Sequence, residues 1–262
     1  MTAIETRLQE LCRSRGWSSI PAVCALDFGG YQLLQVVPPE VPDNELREAL
    51  RWQIRDLIDF PLEEAVIDVF HVPRGNQRER ARTAYVVVAQ RNLIRQRVAQ
   101  MTDARLKVQA IDIPELVLRN LACLFHDTDR AAGLLFFGPD SGLLIVTRGQ
   151  ELCLARNLPV GVSLLQERPD FLERTVETVA LEIQRSFDFY ERSFAQAPIA
   201  SLAVAPQDFD TEPLLAGLRA SLGIEVSSLD LEKFLECPDP LPPNAGQCLL
   251  AIGAALRNEE EG

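Results

Sequence analysis

The sequence has few of the residues on which metal sites and disulfide frameworks depend. Its only two histidines, His71 and His126, lie far apart, and neither has a Cys or His neighbour at ligand spacing. None of the six cysteines forms a C-x-x-C pair, and most lie inside apolar runs. These patterns argue against a structural zinc site and against disulfides, and they indicate buried thiols in a reducing compartment.

Motifs for catalysis and nucleotide binding are also missing. The sequence contains no G-x-S-x-G, no G-x-x-x-x-G-K-[ST], and no His at a useful spacing from a Ser or Cys. Carboxylates are abundant, but they fall on predicted helix faces, where solvation explains them. We therefore predict that the protein is not an enzyme and binds no metal.

Positive charge and long apolar runs are scarce as well. The chain has 26 Lys and Arg against 38 Asp and Glu, a net charge of −12. This balance argues against nucleic acid or an anionic membrane surface as the main partner, because both require a clustered positive face. No segment approaches the roughly 18–20 apolar residues of a membrane span. The charged N-terminus predicts a short amphipathic helix, not a secretory signal. We expect a cytoplasmic protein, attached to a membrane through partners or through an anchor outside this sequence.

Two similar β-rich patterns occur in a chain of 262 residues, long enough for two lobes. In Pro21–Val37, apolar runs flank Gly29-Gly30, which predicts a tight hairpin. In Gly133–Arg148, apolar runs flank the turn Gly138–Gly142. A hairpin at the start of each half predicts two related halves that face each other.

The first half continues with an α+β pattern. Asp43 is a good N-cap for a helix Asp43–Ile58, whose buried stripe is expected to be Leu46, Leu50, Ile54 and Leu57. Trp52 lies off that stripe, so it either packs on a neighbouring subdomain or anchors a partner. Further predictions are strands at Ala65–Val72, Thr83–Ala89 and Lys107–Ile111, and helices at Asn92–Ala104 and from Pro114. The charged run Arg74–Arg82 is interpreted as a loop that is either solvated or in contact with an acidic partner.

The second half has a distinct element order. Three strands are predicted at Gly133–Phe137, Gly142–Thr147 and Glu151–Asn157, and the long helix Phe171–Phe194 follows. Its aromatic and aliphatic stripe is typical of core packing. Strand, helix, strand and helix then follow at Ile199–Ala205, Glu212–Leu222, Ile224–Ser228 and Cys248–Arg257, with a Pro-rich connector at Cys237–Ala245.

This order is ribonuclease-H-like, and two such lobes resemble the actin-like fold. The fold class is α/β: an actin-like (ribonuclease-H-like) two-lobe fold with an inserted α+β subdomain in the first lobe. The expected first lobe is 1–130, containing the hairpin 21–37, a module at about 43–112 and a helix at 114–125. The second lobe is expected at 131–257 and an acidic tail at 258–262.

Specific segments extend the resemblance. The segment Glu45–Phe70 resembles the PilM family of type IV pilus assembly proteins in its helix, its Phe-Pro-Leu-Glu-Glu turn and its strand. Ala110–Asn120, Glu177–Glu191 and Leu249–Arg257 resemble the same family, in the same order. The motifs around Asp59 and Asp112 look closest to the MshI branch of mannose-sensitive haemagglutinin (MSHA) pilus biogenesis. The cytoplasmic part of the type II secretion protein GspL is a more distant relative.

The resemblance implies a scaffold on the cytoplasmic side of the inner membrane. Such a protein would bind the cytoplasmic segment of a PilN-like bitopic membrane protein and couple to the assembly ATPase. A homodimer is also compatible with it. Arg51, Trp52 and Arg55 are predicted to form the tail site, between the first lobe and its inserted module, because two arginines one turn apart beside a Trp suit an amphipathic or acidic peptide.

The resemblance also implies where a nucleotide would bind. Related ATP-binding proteins hold phosphates between two turns that supply backbone N–H groups and an Asp acting through Mg²⁺. Asp27 and Gly29 match the first turn, but Gly30 begins a stretch that lacks the usual Ser or Thr. Phe137 replaces the expected Asp of the second turn, where Pro139 also removes an N–H.

The third element, a Gly-rich turn for adenosine, is replaced by Ala203–Gln207. We therefore expect no cofactor, with Asp27, Gly29 and Gly30 either a vestigial phosphate turn or simply a hairpin turn. The alternative function is an actin-like ATP-binding protein or ATPase, which would use ATP and Mg²⁺.

Overall fold

The computed structural model describes residues 3–73, 83–125, 130–166, 169–194, 197–199, 201–235 and 245–257. The chain forms two compact units. Unit 1 holds the described residues up to Val72 and from 83 to 114, and unit 2 holds Pro73 and the residues from Glu115 onward. The predicted loop at 74–82, the connector at 237–245 and the tail at 258–262 lie wholly or almost wholly outside the described residues.

Unit 1 contains three helices and five strands among its described residues. They are α1 (Ala3–Arg15), β1 (Pro21–Ala25), β2 (Tyr31–Val36), α2 (Asp43–Gln53), β3 (Ala65–His71), β4 (Ala84–Gln90), α3 (Arg91–Asp103) and β5 (Lys107–Asp112). Short 3-10 turns at Arg55–Leu57 and Leu62–Glu64 connect α2 to β3.

The hairpin predicted at Pro21–Val37 is wrong. β1 pairs in parallel with β5, and β2 pairs with β4 in a separate antiparallel sheet of order β2-β4-β3. The pairing of β1 extends through Leu26, whose N–H donates to the Asp112 carbonyl at 2.8 Å. The α+β module therefore also differs from the prediction, because its sheet includes β2 and loses β5.

The module's core explains this pairing. β4 is the central strand and is buried along most of its length, whereas β3 begins with alternating buried and exposed residues. Helix α2 covers the buried face, placing Leu50 and Ile54, both 0% exposed, in one cluster with Ile67 and Val86. Each fully buried aliphatic side chain contributes roughly 1.5–3 kcal/mol.

Unit 2 contains the remaining elements. They are α4 (Pro114–Phe125), β6 (Ala132–Phe137), β7 (Gly142–Arg148), β8 (Glu151–Leu158), α5 (Val162–Leu165), α6 (Pro169–Phe194), β9 (Ser201–Val204), α7 (Glu212–Leu222), β10 (Glu225–Ser228) and α8 (Leu249–Ala255). The contact between α4 and α8 is close, because Asn120 Nδ2 donates to the Gly253 carbonyl at 3.1 Å. The division before Glu115 therefore differs from the lobe boundary predicted at residue 130.

The sheet of unit 2 has the strand order β10-β9-β6-β7-β8. β6, β7 and β8 are antiparallel, whereas β9 and β10 run parallel to β6. This is the ribonuclease-H-like order, and the hairpin predicted at Gly133–Arg148 is confirmed. The predicted inward stripe of α6 is also confirmed, since its members are at most 7% exposed: Val176, Val179, Ile183, Phe187, Tyr190 and Phe194.

Candidate functional site

The first predicted phosphate turn follows β1. The N–H of Gly30 donates to the Asp27 carbonyl at 3.0 Å, which closes a tight turn. Gly29 has a φ of +83°, a left-handed conformation that favours glycine. A Cβ on Gly30 would lie 3.1 Å from both the Asp27 carbonyl oxygen and Leu93 Cδ2. Asp27, Gly29 and Gly30 therefore form a turn, although its flanking strands do not pair with each other.

The Asp27 carboxylate forms an ion pair with the Arg97 guanidinium of α3. Arg97 Nη1 also donates to Gln100 Oε1 at 3.1 Å, and Gln100 Nε2 donates to Glu5 Oε1 of α1 at 3.1 Å. The network thus joins the turn, α3 and α1 within unit 1. A guanidinium competes with a hydrated divalent cation for a carboxylate, so Asp27 already has a cationic partner.

Arg97 also affects the neighbouring thiol. Burial raises the pKa of Cys24, while the positive charge of Arg97 opposes that rise and the Asp27 carboxylate adds to it. The thiol therefore favours its neutral form, and Cys24 is not an activated nucleophile.

The second predicted phosphate turn connects β6 and β7. Phe137, which stands where the Asp was expected, is 2% exposed and pairs with Gly142. The N–H of Gly138 donates to the Ser141 carbonyl at 2.8 Å, so this donor is used inside the turn. Pro139 has no N–H to offer. The turn therefore lacks a carboxylate at the strand-end position and two of the backbone donors that a phosphate would need, and its Asp140 is displaced from that position.

The segment that starts α5 packs directly against this turn. The N–H groups of Val162 and Ser163 donate to the carbonyls of Gly138 and Pro139 at 2.9 and 3.0 Å. A Cβ on Gly161 would lie only 2.4 Å from the Pro139 oxygen and 2.5 Å from Ser141 N. One side of the turn is consequently occupied by the chain itself.

The predicted adenosine turn follows β9 and is also covered. A Cβ on Gly246 would lie 2.3 Å from the Pro206 carbonyl oxygen. The side chain of Gln247 contacts the Asp208 carboxylate through a hydrogen bond. The backbone at residues 246–247 therefore packs where the resemblance would place a base.

The predicted tail site lies at the C-terminal end of α2. Trp52 is 64% exposed, so its prediction as an off-stripe residue agrees with its position. The helix itself ends at Gln53, not at Ile58, because a 3-10 turn follows at Arg55–Leu57 and Ile58 adopts an extended conformation. This shift takes Leu57 out of the predicted buried stripe and leaves it 54% exposed.

The two predicted arginines have different environments. Arg51 Nη2 donates to the Leu62 carbonyl at 3.0 Å and so holds the segment after the helix. Arg55 is exposed and makes no ion pair with any other residue that the structure describes. The arginines therefore do not share one continuous helix face, and Arg55 is the one available to a partner.

Sequence reasoning missed several residues of these sites. Val37 is 56% exposed, and its carbonyl accepts from Gln53 Nε2 at 3.3 Å, so a third exposed apolar residue lies near the C-terminal end of α2, which also carries Trp52 and is followed by Leu57. We call Val37, Trp52 and Leu57 the α2 apolar patch. Arg97 was also missed, because 70 positions separate it from Asp27.

Across the described residues, no group of three or more His, Cys, Asp or Glu is arranged to hold a metal ion. Within the same part of the chain, no helix combines the length and apolar character needed to cross a membrane.

The chain resembles several solved structures. No protein-family model and no curated protein matches it. A chain of the PilM–PilN type IV pilus biogenesis complex aligns with a TM-score of 0.75 and 20% identity, over 97% of this chain and 84% of that one. The cytoplasmic domain of EpsL, an inner-membrane component of the type II secretion system of Vibrio cholerae, aligns with a TM-score of 0.51 and 14% identity, over 97% and 82%.

A third similar structure is a Bacteroides thetaiotaomicron protein with an actin-like ATPase fold. It aligns with a TM-score of 0.48 and 9% identity, over 87% of this chain and 77% of that one. Together with the strand order of unit 2, the likeness to the chain of the PilM–PilN complex confirms the predicted actin-like α/β fold.

Proposed function

We propose that this protein is a non-enzymatic scaffold of a type IV pilus or type II secretion-like assembly platform. The observation that carries the proposal is the likeness, over 97% of this chain, to a chain of the PilM–PilN complex. The likeness to the cytoplasmic domain of EpsL supports the same class of machine. The protein would act on the cytoplasmic side of the inner membrane.

The proposed partner is the cytoplasmic segment of a PilN-like bitopic membrane protein. Its docking site is the α2 apolar patch together with Arg55. Exposed Trp is typical of the residues that dominate binding energy, and the flanking Leu57 and Val37 would exclude water around it. An exposed guanidinium at the margin suits a carboxylate of the incoming peptide.

The absence of nucleotide chemistry is the second part of the proposal. The carboxylate of Asp27 has Arg97 as its cation, and the backbone at Gly161 and Gly246 packs against the other two turns. A metal–phosphate site needs free oxygen ligands and an open approach at the same time. The first turn has no free carboxylate and the other two have no open approach, which favours a scaffold that works without ATP.

Finer assignments rest on the sequence resemblance. The motifs around Asp59 and Asp112 favour the MshI branch, which serves the MSHA pilus. The scaffold would pass conformational changes from the assembly ATPase to the membrane partner. We also propose that it is able to act as a homodimer.

Co-purification with the PilN-like protein of the same assembly system tests the docking site. Wild-type protein should retain the partner, and Trp52→Ala should weaken the interaction at least tenfold, as expected for a loss of more than about 1.4 kcal/mol at a central aromatic residue. Phe189→Ala removes an exposed aromatic side chain of α6 and should retain the partner. Equal retention by the two variants would reject this site.

The second candidate is an actin-like ATP-binding protein. Gly29, with its φ of +83°, and the 78% exposed side chain of Asp27 favour it, because both features suit a phosphate turn. Isothermal titration with Mg-ATP separates the two functions. Micromolar binding would reject the nucleotide-free scaffold, and heat equal to that of dilution would reject the ATP-binding protein.

A further inference from the structure

A cluster of basic and apolar side chains lies on unit 1, away in sequence from the α2 apolar patch. Its members are all exposed, and we call them the basic tryptophan patch: Arg13, Arg15, Trp17, Ile20, Arg105 and Lys107. Trp17 is 41% and Ile20 43% exposed. No part of the proposed partner site uses these residues.

The backbone holds the members of the patch together. Helix α1 ends at Arg15; Gly16 follows with a φ of +68°, and the N–H of Trp17 donates to the Cys12 carbonyl at 2.8 Å. The N–H of Ser19 donates to the Arg105 carbonyl at 2.7 Å, and the N–H of Lys107 donates to the Ile20 carbonyl at 2.9 Å. The segment after α1 therefore runs beside the start of β5.

Helix α1 is itself fixed to unit 1, so the patch has a rigid base. Cys12 is 4% exposed, and Glu5 accepts a hydrogen bond from Gln100 of α3. These contacts hold one side of the helix against the unit. The end of the helix and the following Trp17 remain exposed.

The charge of the patch is opposite to that of the chain. None of its four basic side chains forms an ion pair with a described residue. Two carboxylates lie nearby in the sequence: Asp103, and Glu10, which pairs with Arg7 at 3.8 Å. The whole chain, in contrast, has a net charge of −12. Charges beyond the Debye length of about 8 Å at physiological salt are largely screened, so a local surface responds to the patch and not to the distant carboxylates.

We propose that the basic tryptophan patch binds the surface of an anionic phospholipid bilayer. Tryptophan prefers the membrane–water interface, and basic residues near an anionic surface each contribute about fivefold in affinity. The aliphatic side chain of Ile20 also favours a bilayer over a nucleic acid, because it gains apolar burial in lipid and nothing from a phosphate backbone. The protein would thus contact lipid directly through this patch, in addition to its proposed attachment to the membrane through a partner protein.

Vesicle binding by the whole chain tests this proposal. Because the chain has only two tryptophans, Trp52→Phe leaves Trp17 as the reporter, and Trp17→Phe leaves Trp52. With vesicles containing about 30% phosphatidylglycerol, Trp17 fluorescence should shift to the blue and be quenched by brominated lipid, whereas Trp52 fluorescence should not change. Neutral phosphatidylcholine vesicles should give no shift.

Charge reversal provides the matched variants. Arg13→Glu/Arg15→Glu should lower the vesicle partition coefficient by about 25-fold or more, from two contributions of about fivefold. Arg174→Glu/Arg192→Glu on α6 makes the same change in net charge and should leave partition unchanged. Far-UV circular dichroism of both variants checks that they fold.

Three results of the vesicle experiments would overturn the proposal. They are no binding by wild-type protein, equal partition of the two double variants, and quenching of Trp52 in place of Trp17. Capture of a short oligonucleotide with no capture of anionic vesicles would also reject it in favour of a nucleic-acid surface. Each outcome is independent of partner co-purification, which Trp52→Ala measures separately.

Discussion

Replacing Gly161 by Ala tests whether the chain itself fills the second predicted phosphate turn. Gly161 has φ −116° and ψ −176°, an extended conformation that alanine adopts without strain. If the site had room, the substitution would stabilise the protein by about 0.4–1 kcal/mol, because alanine restricts the unfolded chain. Whether Gly161→Ala raises or lowers the free energy of unfolding therefore shows whether Gly161 packs closely against the turn.

The structure predicts the opposite sign. The new Cβ would meet backbone atoms of Pro139, Asp140 and Ser141 at 2.4–2.5 Å, and backbone cannot rotate away as a side chain can. Relief requires the turn and α5 to separate, which weakens the hydrogen bonds from Val162 N and Ser163 N. We expect a loss of about 1–3 kcal/mol, the usual range for overpacking and for one or two weakened hydrogen bonds.

Urea unfolding and amide hydrogen exchange measure this effect. Gly161→Ala should lower the unfolding midpoint and speed exchange at Val162 and Ser163. Gly223→Ala is the control, because Gly223 has φ +65° with no atom near its Cβ position, so it should cost about 1–2 kcal/mol without changing those amides. A raised midpoint for Gly161→Ala with unchanged exchange would refute the close packing of the turn.

Three further predictions concern other contacts. Asp27→Asn and Arg97→Gln should each lower the unfolding free energy by about 1 kcal/mol or less, since the pair is partly exposed, and the double variant should show less than the sum. Trp52→Ala should weaken PilN-like tail binding at least tenfold without lowering the thermal midpoint, because the side chain is 64% exposed. Burial raises the pKa of Cys153 from 9.0 and that of Tyr190 from 10.0, in both cases to about 12, so the folded state holds these protons more tightly. The contribution of these two groups to the free energy of unfolding should be complete below pH 9 and should decline toward pH 12. The decline should be at most about 1.4 kcal/mol per pH unit for each group, and urea unfolding at a series of pH values measures it.

The elements of unit 2 were largely predictable because their signals are local. The strands β6 and β7 of its hairpin are continuous apolar runs, and the buried stripe of α6 repeats every three or four residues from Val176 to Phe194. Each pattern is complete within one element or one turn. The strand order then followed from the succession of elements, and the TM-score of 0.75 agrees with it.

The pairing in unit 1 was not predictable from the same kind of signal. Pro21–Val37 looks like the hairpin of unit 2, yet Pro21 pairs with Lys107, a partner far along the chain. The end of α2 was misjudged for a related reason. Apolar spacing alone extends the helix to Ile58, whereas the backbone changes to a 3-10 turn at Arg55–Leu57, which ends the helix early and leaves Leu57 exposed.

In the candidate sites, too, residues with a local sequence signal were predictable and residues with distant contacts were not. Trp52 could be identified from its position off the helical stripe, and its exposure agrees. Arg97, Gly161 and Gly246 could not be identified, because their roles depend on contacts with distant residues. The missing Asp and the added Pro of the second turn indicated that it had lost phosphate-binding groups. The sequence did not indicate that the backbone at Gly161 packs against this turn.

The most direct test is calorimetric titration of the cytoplasmic segment of the PilN-like partner into this protein, with and without Mg-ATP. A scaffold that works without ATP should give the same dissociation constant in both conditions and no heat beyond dilution from Mg-ATP alone. Tail binding that appears or tightens at least tenfold only with Mg-ATP would contradict this prediction.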